Sequence, residues 1–490
     1  MRFRSYIVGM LNSLGRGCDD PDGAGLLPGP RAYDRTLLGQ IDRRLFGTSA
    51  ARYIIFGIIG LSLTVPSIQF VIRINEVHSA PFRETGESRR TALGRWLPTA
   101  RLVHFGEMER DPYGYGHWFP LPPFVLLALA PLAQLGFLGA GIAWAFFKIV
   151  GISIALYTTL KSMRVQDFAV PTGVLLMGAL FGLRPIIADI QHGNVNTFVF
   201  IWVALAWAAY VNHRDYSAGV FLALAVVTKI TPALLLVYFA YKREWRVCTA
   251  AAVGLLLAFV FVPGVWFGFA ENWELHRAWF EMLVAPFLLH GYATINEFNQ
   301  SLYGVLLRVG ESVGVLQLER MHIDDALLAG NDVMARPLGA AAYLKPAISL
   351  SFLLALAWLC RSSARSRRDP RRLLEFAVVL IAMLLLGERT WKHHATTLLI
   401  VYLALWHSVA CLPWTDRVRA LLAGGLFLQW LLLMATSEGF LGDAFADRAM
   451  FAGAFCWGLV LAFVETGIIL WLIGRPTGRG AEWTGARPRP

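Results

Sequence analysis

Gln191-His192-Gly193-Asn194-Val195-Asn196 joins two strongly apolar runs, 169–188 and 197–211. An imidazole and three amides share one bend, and Gly193 supplies the backbone freedom for a tight reversal. The first run has the roughly 20 residues that a bilayer crossing needs. Polar groups at the ends of such runs are costly and usually functional. The stretch therefore reads as the turn of a chain that threads a membrane repeatedly and keeps a polar site at the ends of its spans.

Composition supports this. The chain has 490 residues, 56% of them hydrophobic, and a mean hydropathy of +0.53. A soluble chain is usually about 45–50% apolar. Further expected spans are 53–72, 139–160, 247–267, 341–360, 373–386, 395–410, 420–435 and 449–473. The run 217–241 reads as two short helices broken at Lys229-Ile230-Thr231-Pro232, because both its flanks are basic. The run 121–137, with Pro122, Pro123 and Pro131, reads as interfacial or re-entrant. The expected architecture is an all-α polytopic membrane protein of about 12 passes.

The organisation expected is a cytoplasmic leader 1–52, a single membrane domain 53–474 and a cytoplasmic tail 475–490. No cleavable signal peptide is evident, since the first apolar run starts near Tyr53. Two large loops, 73–120 and 268–340, are expected outside.

The net charge is +11, from 44 Lys+Arg against 33 Asp+Glu. Much of the excess falls in short loops such as Arg361 to Arg372, which places those loops and the N-terminus in the cytoplasm. Such basic loops meet anionic lipid headgroups rather than nucleic acid. The localisation expected is an integral protein of a bacterial inner membrane. Cys18, Cys248, Cys360 and Cys411 fall on or near the inner side and Cys456 within a span, so no external disulfide is expected. No GxxxxGK[ST] loop is present for an ATP-driven reaction inside. Asp20-Pro21-Asp22 matches a short acidic pattern but lies in the leader.

The polar motifs then share the outer face. Gln191, His192, Asn194 and Asn196 suit sugar hydroxyls, which need donors and acceptors; the plainer alternative is a polar turn satisfying helix ends. Lys229 at a break fixed by Pro232 suits a phosphate; the alternative is a lysine reaching the interface. Glu388-Arg389-Thr390-Trp391-Lys392-His393-His394 suits a phosphate clamp of Arg389, Lys392 and His393, with Arg184 as a further cation; the alternative is an aromatic-basic belt. Adjacent histidines do not share a helix face, so no metal site is expected there. Asn299 and Gln300 offer amides at a helix start, or an ordinary cap. Lys148 and Glu465 lie inside spans with no partner identifiable from sequence.

Several blocks in order resemble glycosyltransferase family 87. Asp111-Pro112-Tyr113, Phe119-Pro120-Leu121-Pro122-Pro123-Phe124 and Pro131-Leu132-Ala133 resemble its "dPY…YPPF…PLA" block. Gln191 to Asn196 resembles its "QxGQxN" turn, and Ala218-Gly219 through Lys229-Ile230-Thr231-Pro232 its "AG…K..P" hairpin. Asn299-Gln300-Ser301-Leu302 with Arg308 resembles "NQSL…R", and Trp391-Lys392-His393-His394 resembles "W.HH".

The resemblance implies a GT-C fold and transfer of a sugar, mannose in this family, from a polyprenyl-phosphate carrier to a lipid or glycan acceptor outside the cytoplasm. A phosphate leaving group needs cations, here Lys229, Arg389, Lys392, His393 and Arg184. Gln191, His192, Asn194, Asn196, Asn299, Gln300 and His394 would then contact sugar or acceptor. Neither cofactor nor metal is called for. Ala92 stands where the family carries an acid, so the base is expected at Glu87 or Asp111. A transporter or flippase of lipid-linked sugar, or a catalytically altered sugar-lipid binder, are the other readings.

Overall fold

The computed structural model describes residues 40, 44, 49–79, 91–104, 112–113, 119–165, 170–321, 333–362, 367, 369–412 and 414–474. Glu87 and Asp111 lie outside them, as do most of the leader and the tail.

The first helix with described bounds is α1 (Ser49–Ser79), followed by α2 (Ala92–His104) and α3 (Pro123–Ala133). The helices α4 (Gly136–Val165), α5 (Thr172–His192) and α6 (Asn196–Val211) follow. The run read as broken is two helices, α7 (Asp215–Thr228) and α8 (Ala233–Tyr241), with Lys229 extended and Pro232 at the start of the second. Next come α9 (Trp245–Leu256), a π-helical turn (Leu257–Phe261) and α10 (Val262–Phe267).

The segment after α10 is more structured than a loop. It holds α11 (Phe269–Trp279), α12 (Ala285–Leu288) and α13 (Leu302–Ser312). It also holds strands β1 (Ala293–Thr294), β2 (Leu318–Arg320) and β3 (Met334–Pro337), joined antiparallel in the order β1-β3-β2. This small sheet departs from the all-α expectation, because strands of two to four residues leave too little alternation to read.

The rest is helical: α14 (Leu344–Leu359), α15 (Pro370–Leu385), α16 (Leu398–Cys411), α17 (Asp416–Ala435), α18 (Glu438–Leu441), α19 (Asp443–Phe451) and α20 (Ala454–Gly474). Among the described residues, seven helical segments are long and apolar enough to cross a bilayer: Tyr53–Glu76, Gly136–Met163, Thr172–His192, Trp245–Phe267, Gly339–Leu359, Asp416–Ala435 and Ala454–Ile473. The protein is an all-α membrane protein apart from the small sheet. Other expected passes fall on shorter apolar helices, among them Asn196–Val211, Asp215–Thr228 and Leu398–Cys411. Within the run 121–137, α3 has 11 residues and packs against α2.

Burial explains the arrangement. In α16 every residue from Leu398 to Ala410 is buried, and in α15 so is every residue from Leu373 to Leu385. A helix apolar on all sides belongs in the middle of a bundle. By contrast α14 buries only Leu356 and exposes Leu350, Leu353, Leu354 and Trp358, as befits a lipid-facing helix.

Close helix approach is set by small residues. Gly178 and Gly182 lie four apart on α5 and face α16. A Cβ at Gly182 would stand 2.5 Å from the Leu399 Cα, so it meets backbone that cannot step aside. Gly182→Val is expected to cost about 1–3 kcal/mol. Thermal unfolding in detergent measures it, and a wild-type Tm would show that α5 and α16 can part freely.

Candidate functional site

The turn after α5 is built as its sequence suggests. Gly193 takes a left-handed conformation, φ 66°, and caps the helix with its N–H on Asp189 and Ile190 carbonyls. Asp189 itself is fully buried. Its carboxylate accepts from the backbone N–H groups of Asn196 (3.2 Å) and Thr197 (3.0 Å). It also accepts from the Asn196 amide (2.9 Å) and the Thr197 hydroxyl (2.6 Å). These N–H groups open α6 and have no partner within the helix, and a negative charge there suits the helix dipole.

The fifth donor is Lys148 of α4, whose Nζ lies 2.7 Å from the same carboxylate. Lys148, without a partner in the sequence reading, thus joins α4 to α5 and α6. Asn196 passes the network on: its carbonyl oxygen accepts from Lys229 Nζ at 2.9 Å.

Lys229 lines a cavity of about 470 Å³. Around it stand Arg389 and Arg95, so three cations face one lining carboxylate, Glu388. Glu388 pairs with Arg389 at 3.6 Å. Asn194, Trp391 and His394 supply amide, indole and imidazole, with Trp391 and His394 stacked at 5.8 Å. The other wall is apolar: Trp279, Leu283, Val284, Phe287 and Leu288 with Ile230 and Leu234. Ile230 and Leu288 on this wall are exposed. The cavity combines a cationic pole with an apolar flank at the bundle surface.

Several expected site residues lie elsewhere, for identifiable reasons. Arg184 donates to the Leu433 carbonyl (2.8 Å) and the Ser437 hydroxyl (2.7 Å). Lys392 donates to the Thr436 carbonyl at 2.7 Å. Both cations serve the carbonyl end of α17, where positive charge is favoured, and neither lines the cavity. Burial and the neighbouring Arg184 lower the Lys392 pKa to about 8.

His393 is buried behind the cavity, 3.3 Å from the Asn194 amide and packed against His192. Burial holds it well below the usual histidine range, so it carries no positive charge near neutral pH. It stands outside the cavity lining, apart from Lys229 and Arg389. Gln191 is exposed and meets Gln69 at 3.5 Å.

Asn299 and Gln300 are fully buried and occupied by backbone groups. Asn299 donates to the Thr294 and Glu388 carbonyls and accepts from Ser301 and Thr390. Gln300 donates to the Glu297 and Met450 carbonyls. They latch the segment after α10 onto the Glu388–Arg389 loop, which sets where Arg389 stands. The described residues contain no group of three or more His, Cys, Asp or Glu side chains able to hold a metal ion.

Sequence reasoning missed Asp189 and Arg95. The signal for Asp189 was present: a lysine inside one apolar run requires a carboxylate, and Asp189 closes the next run. Arg95 carried no signal, since only the packing of α2 brings it to the cavity.

With this geometry in place, the comparisons are decisive. The sequence model of glycosyltransferase family 87 matches residues 119–387. The chain belongs to glycosyltransferase family 87. It is therefore a membrane glycosyltransferase. Among curated proteins it is similar to a polyprenol-phosphate-mannose-dependent alpha-(1-2)-phosphatidylinositol mannoside mannosyltransferase of Mycobacterium tuberculosis. The two are 24% identical over 432 residues, covering 84% of this chain and 90% of the relative. The protein of the same description from Mycolicibacterium smegmatis is 24% identical, over 79% of this chain and 84% of its own. A pentamannoside mannosyltransferase from that organism is 26% identical, over 59% and 61%. Solved structures yield no significant match.

The buried imidazole has a measurable consequence. His393 stays neutral in the fold, whereas the unfolded chain takes up a proton below about pH 6.5. Its contribution to stability is therefore lost as pH falls below about 6.5, and not above. His393→Gln should flatten the fall in Tm between about pH 7 and pH 5. A slope equal to wild type would show that the ring is protonated in the folded protein.

Proposed function

We propose that the enzyme transfers a mannosyl group from a polyprenyl-phosphate carrier to a hydroxyl of a lipid or glycan acceptor, outside the cytoplasm. The observation that carries the reading is the cavity, in which Lys229 and Arg389 form a cationic pole beside an apolar, surface-reaching flank. A polyprenyl phosphate is an amphiphile with this distribution of charge and grease. The fold is of the GT-C kind, with the N-terminus inside and about 12 passes. Supporting the orientation, Arg367 pairs with Asp215 and Glu244, and Lys242 with Glu375, at the far end of α6 to α8 from the cavity. Basic residues gather at that end, as they do on a cytoplasmic face. The membrane in question is the bacterial inner membrane.

The reaction is a single displacement. The acceptor oxygen attacks the anomeric carbon as the bond from that carbon to the phosphate oxygen breaks, inverting the centre. Negative charge grows on the departing polyprenyl phosphate, where Lys229 and Arg389 hold it, with Arg95 as a third cation. Fixed cations do this without a metal. The hydroxyl proton passes to a carboxylate. Glu87 and Asp111 of the first loop remain our candidates for it. Asn194 and His394, which line the cavity, are the sugar-facing groups of the expected set; Asn196 acts through Lys229. Lys148 and Glu465 do not favour a transporter: Lys148 pairs with Asp189, and Glu465 accepts from Gln429.

Lys229→Ala is expected to cut turnover of a polyprenyl-phosphate mannose donor about a hundredfold in detergent, with little loss of Tm. Activity in detergent, without a sealed compartment, separates transfer from transport. Equal loss of folding and turnover would assign Lys229 a structural role instead.

A further inference from the structure

Both oxygens of the Asp189 carboxylate cap α6 through a backbone N–H, and each also takes side-chain donors that capping does not require. Oδ2 takes Lys148 and both Thr197 donors. Oδ1 takes the Asn196 backbone N–H and its side-chain NH2. A side-chain amide has a donor end and an acceptor end. With the NH2 end held by Asp189, the Asn196 carbonyl oxygen must point the other way, and there it meets Lys229 Nζ at 2.9 Å. The lysine is thus aimed by a chain of three links that begins at a buried ion pair. Asn196 is its one side-chain hydrogen-bond partner among the described residues, since Asn194, Glu388 and Arg389 line the same cavity without such a bond to it.

We propose that Asp189 and Asn196 are positioning residues of this enzyme: the Lys148–Asp189 pair fixes the Asn196 amide so that Lys229 stands at the donor-phosphate pole of the cavity. Asp189 touches no substrate. Its buried ion pair serves placement rather than net stability, because desolvating two charges offsets most of their attraction. The segment around Lys229 needs such a tether. Lys229 sits in extended backbone between α7 and α8, with one backbone bond to the Ala225 carbonyl and no helix continuing past it. A four-carbon stem in that setting has many rotamers, and an ammonium misplaced by about 1 Å costs about a hundredfold in rate.

The inference rests on the phosphate role given to Lys229 above, and its test reads that role separately. Two variants are compared with wild type. Asn196→Ala removes the last link and leaves the ion pair whole. Lys148→Met with Asp189→Asn removes both buried charges together, since taking one alone strands the other.

Each protein is labelled at amines with acetic anhydride across pH and digested, and Lys229 acetylation is followed by mass spectrometry. Each is also assayed with polyprenyl-phosphate mannose. In both variants Lys229 is expected to label faster, with its titration displaced, at a Tm within a few degrees of wild type. The donor kcat/KM is expected to fall at least about tenfold, and adding Lys229→Ala should bring the combined loss to about the hundredfold of Lys229→Ala alone rather than to the product of the two.

Unchanged Lys229 labelling in a folded Asn196→Ala protein overturns the positioning role. So does a further loss of about a hundredfold when Lys229→Ala is added. If the double variant fails to fold, Asn196→Ala decides alone. If labelling shifts while wild type turns over no polyprenyl-phosphate sugar, the positioning stands and the proposed reaction falls.

Discussion

A carboxylate buried at the junction of two apolar helices must be fully paired, and Asp189 meets that requirement with five donors. Leaving it unpaired at that depth would cost several kcal/mol. The demand fixes the surroundings: α4 must lie where Lys148 reaches, and α6 must start with its free N–H groups facing the carboxylate. Asn196 is locked in one orientation as a result. The cationic pole of the cavity begins from this one pairing.

The second constraint is amphiphilic. The donor proposed for this enzyme, a carrier with a charged head and a long apolar tail, needs a cavity that meets both. The bundle supplies cations from helix breaks and loop ends, where polar side chains have room. The segment after α10 supplies Trp279, Leu283, Val284, Phe287 and Leu288 as the apolar flank. Asn299 and Gln300 hold these two parts in register by bonding backbone on both sides. Their burial explains why the sequence places amides there without placing them in contact with the cavity.

Much of the fold was legible. Apolar runs gave most of the spanning helices, because hydrocarbon thickness dictates length. The break at Pro232 and the left-handed Gly193 were readable, since both are local steric facts. Lys229, Arg389, Asn194 and His394 were named from sequence and do meet around one cavity. Arg184 and Lys392, named with them, instead bond the carbonyl end of α17. A cation near a helix end looks alike in sequence whether it serves a ligand or a helix, and only the neighbour that packs there decides.

What the sequence alone determined is therefore what depends on neighbours along the chain: span lengths, breaks, charge asymmetry, and a family pattern in which each block is short. What the tertiary structure decided is what depends on distance in space. It gave Lys148 its partner 41 residues away, brought Arg95 from a connecting helix to the cavity, and spent Asn299 and Gln300 on backbone. The physical reason is the same in each case. A buried polar group must find a partner, the chain offers many, and packing between distant helices selects which one is within reach.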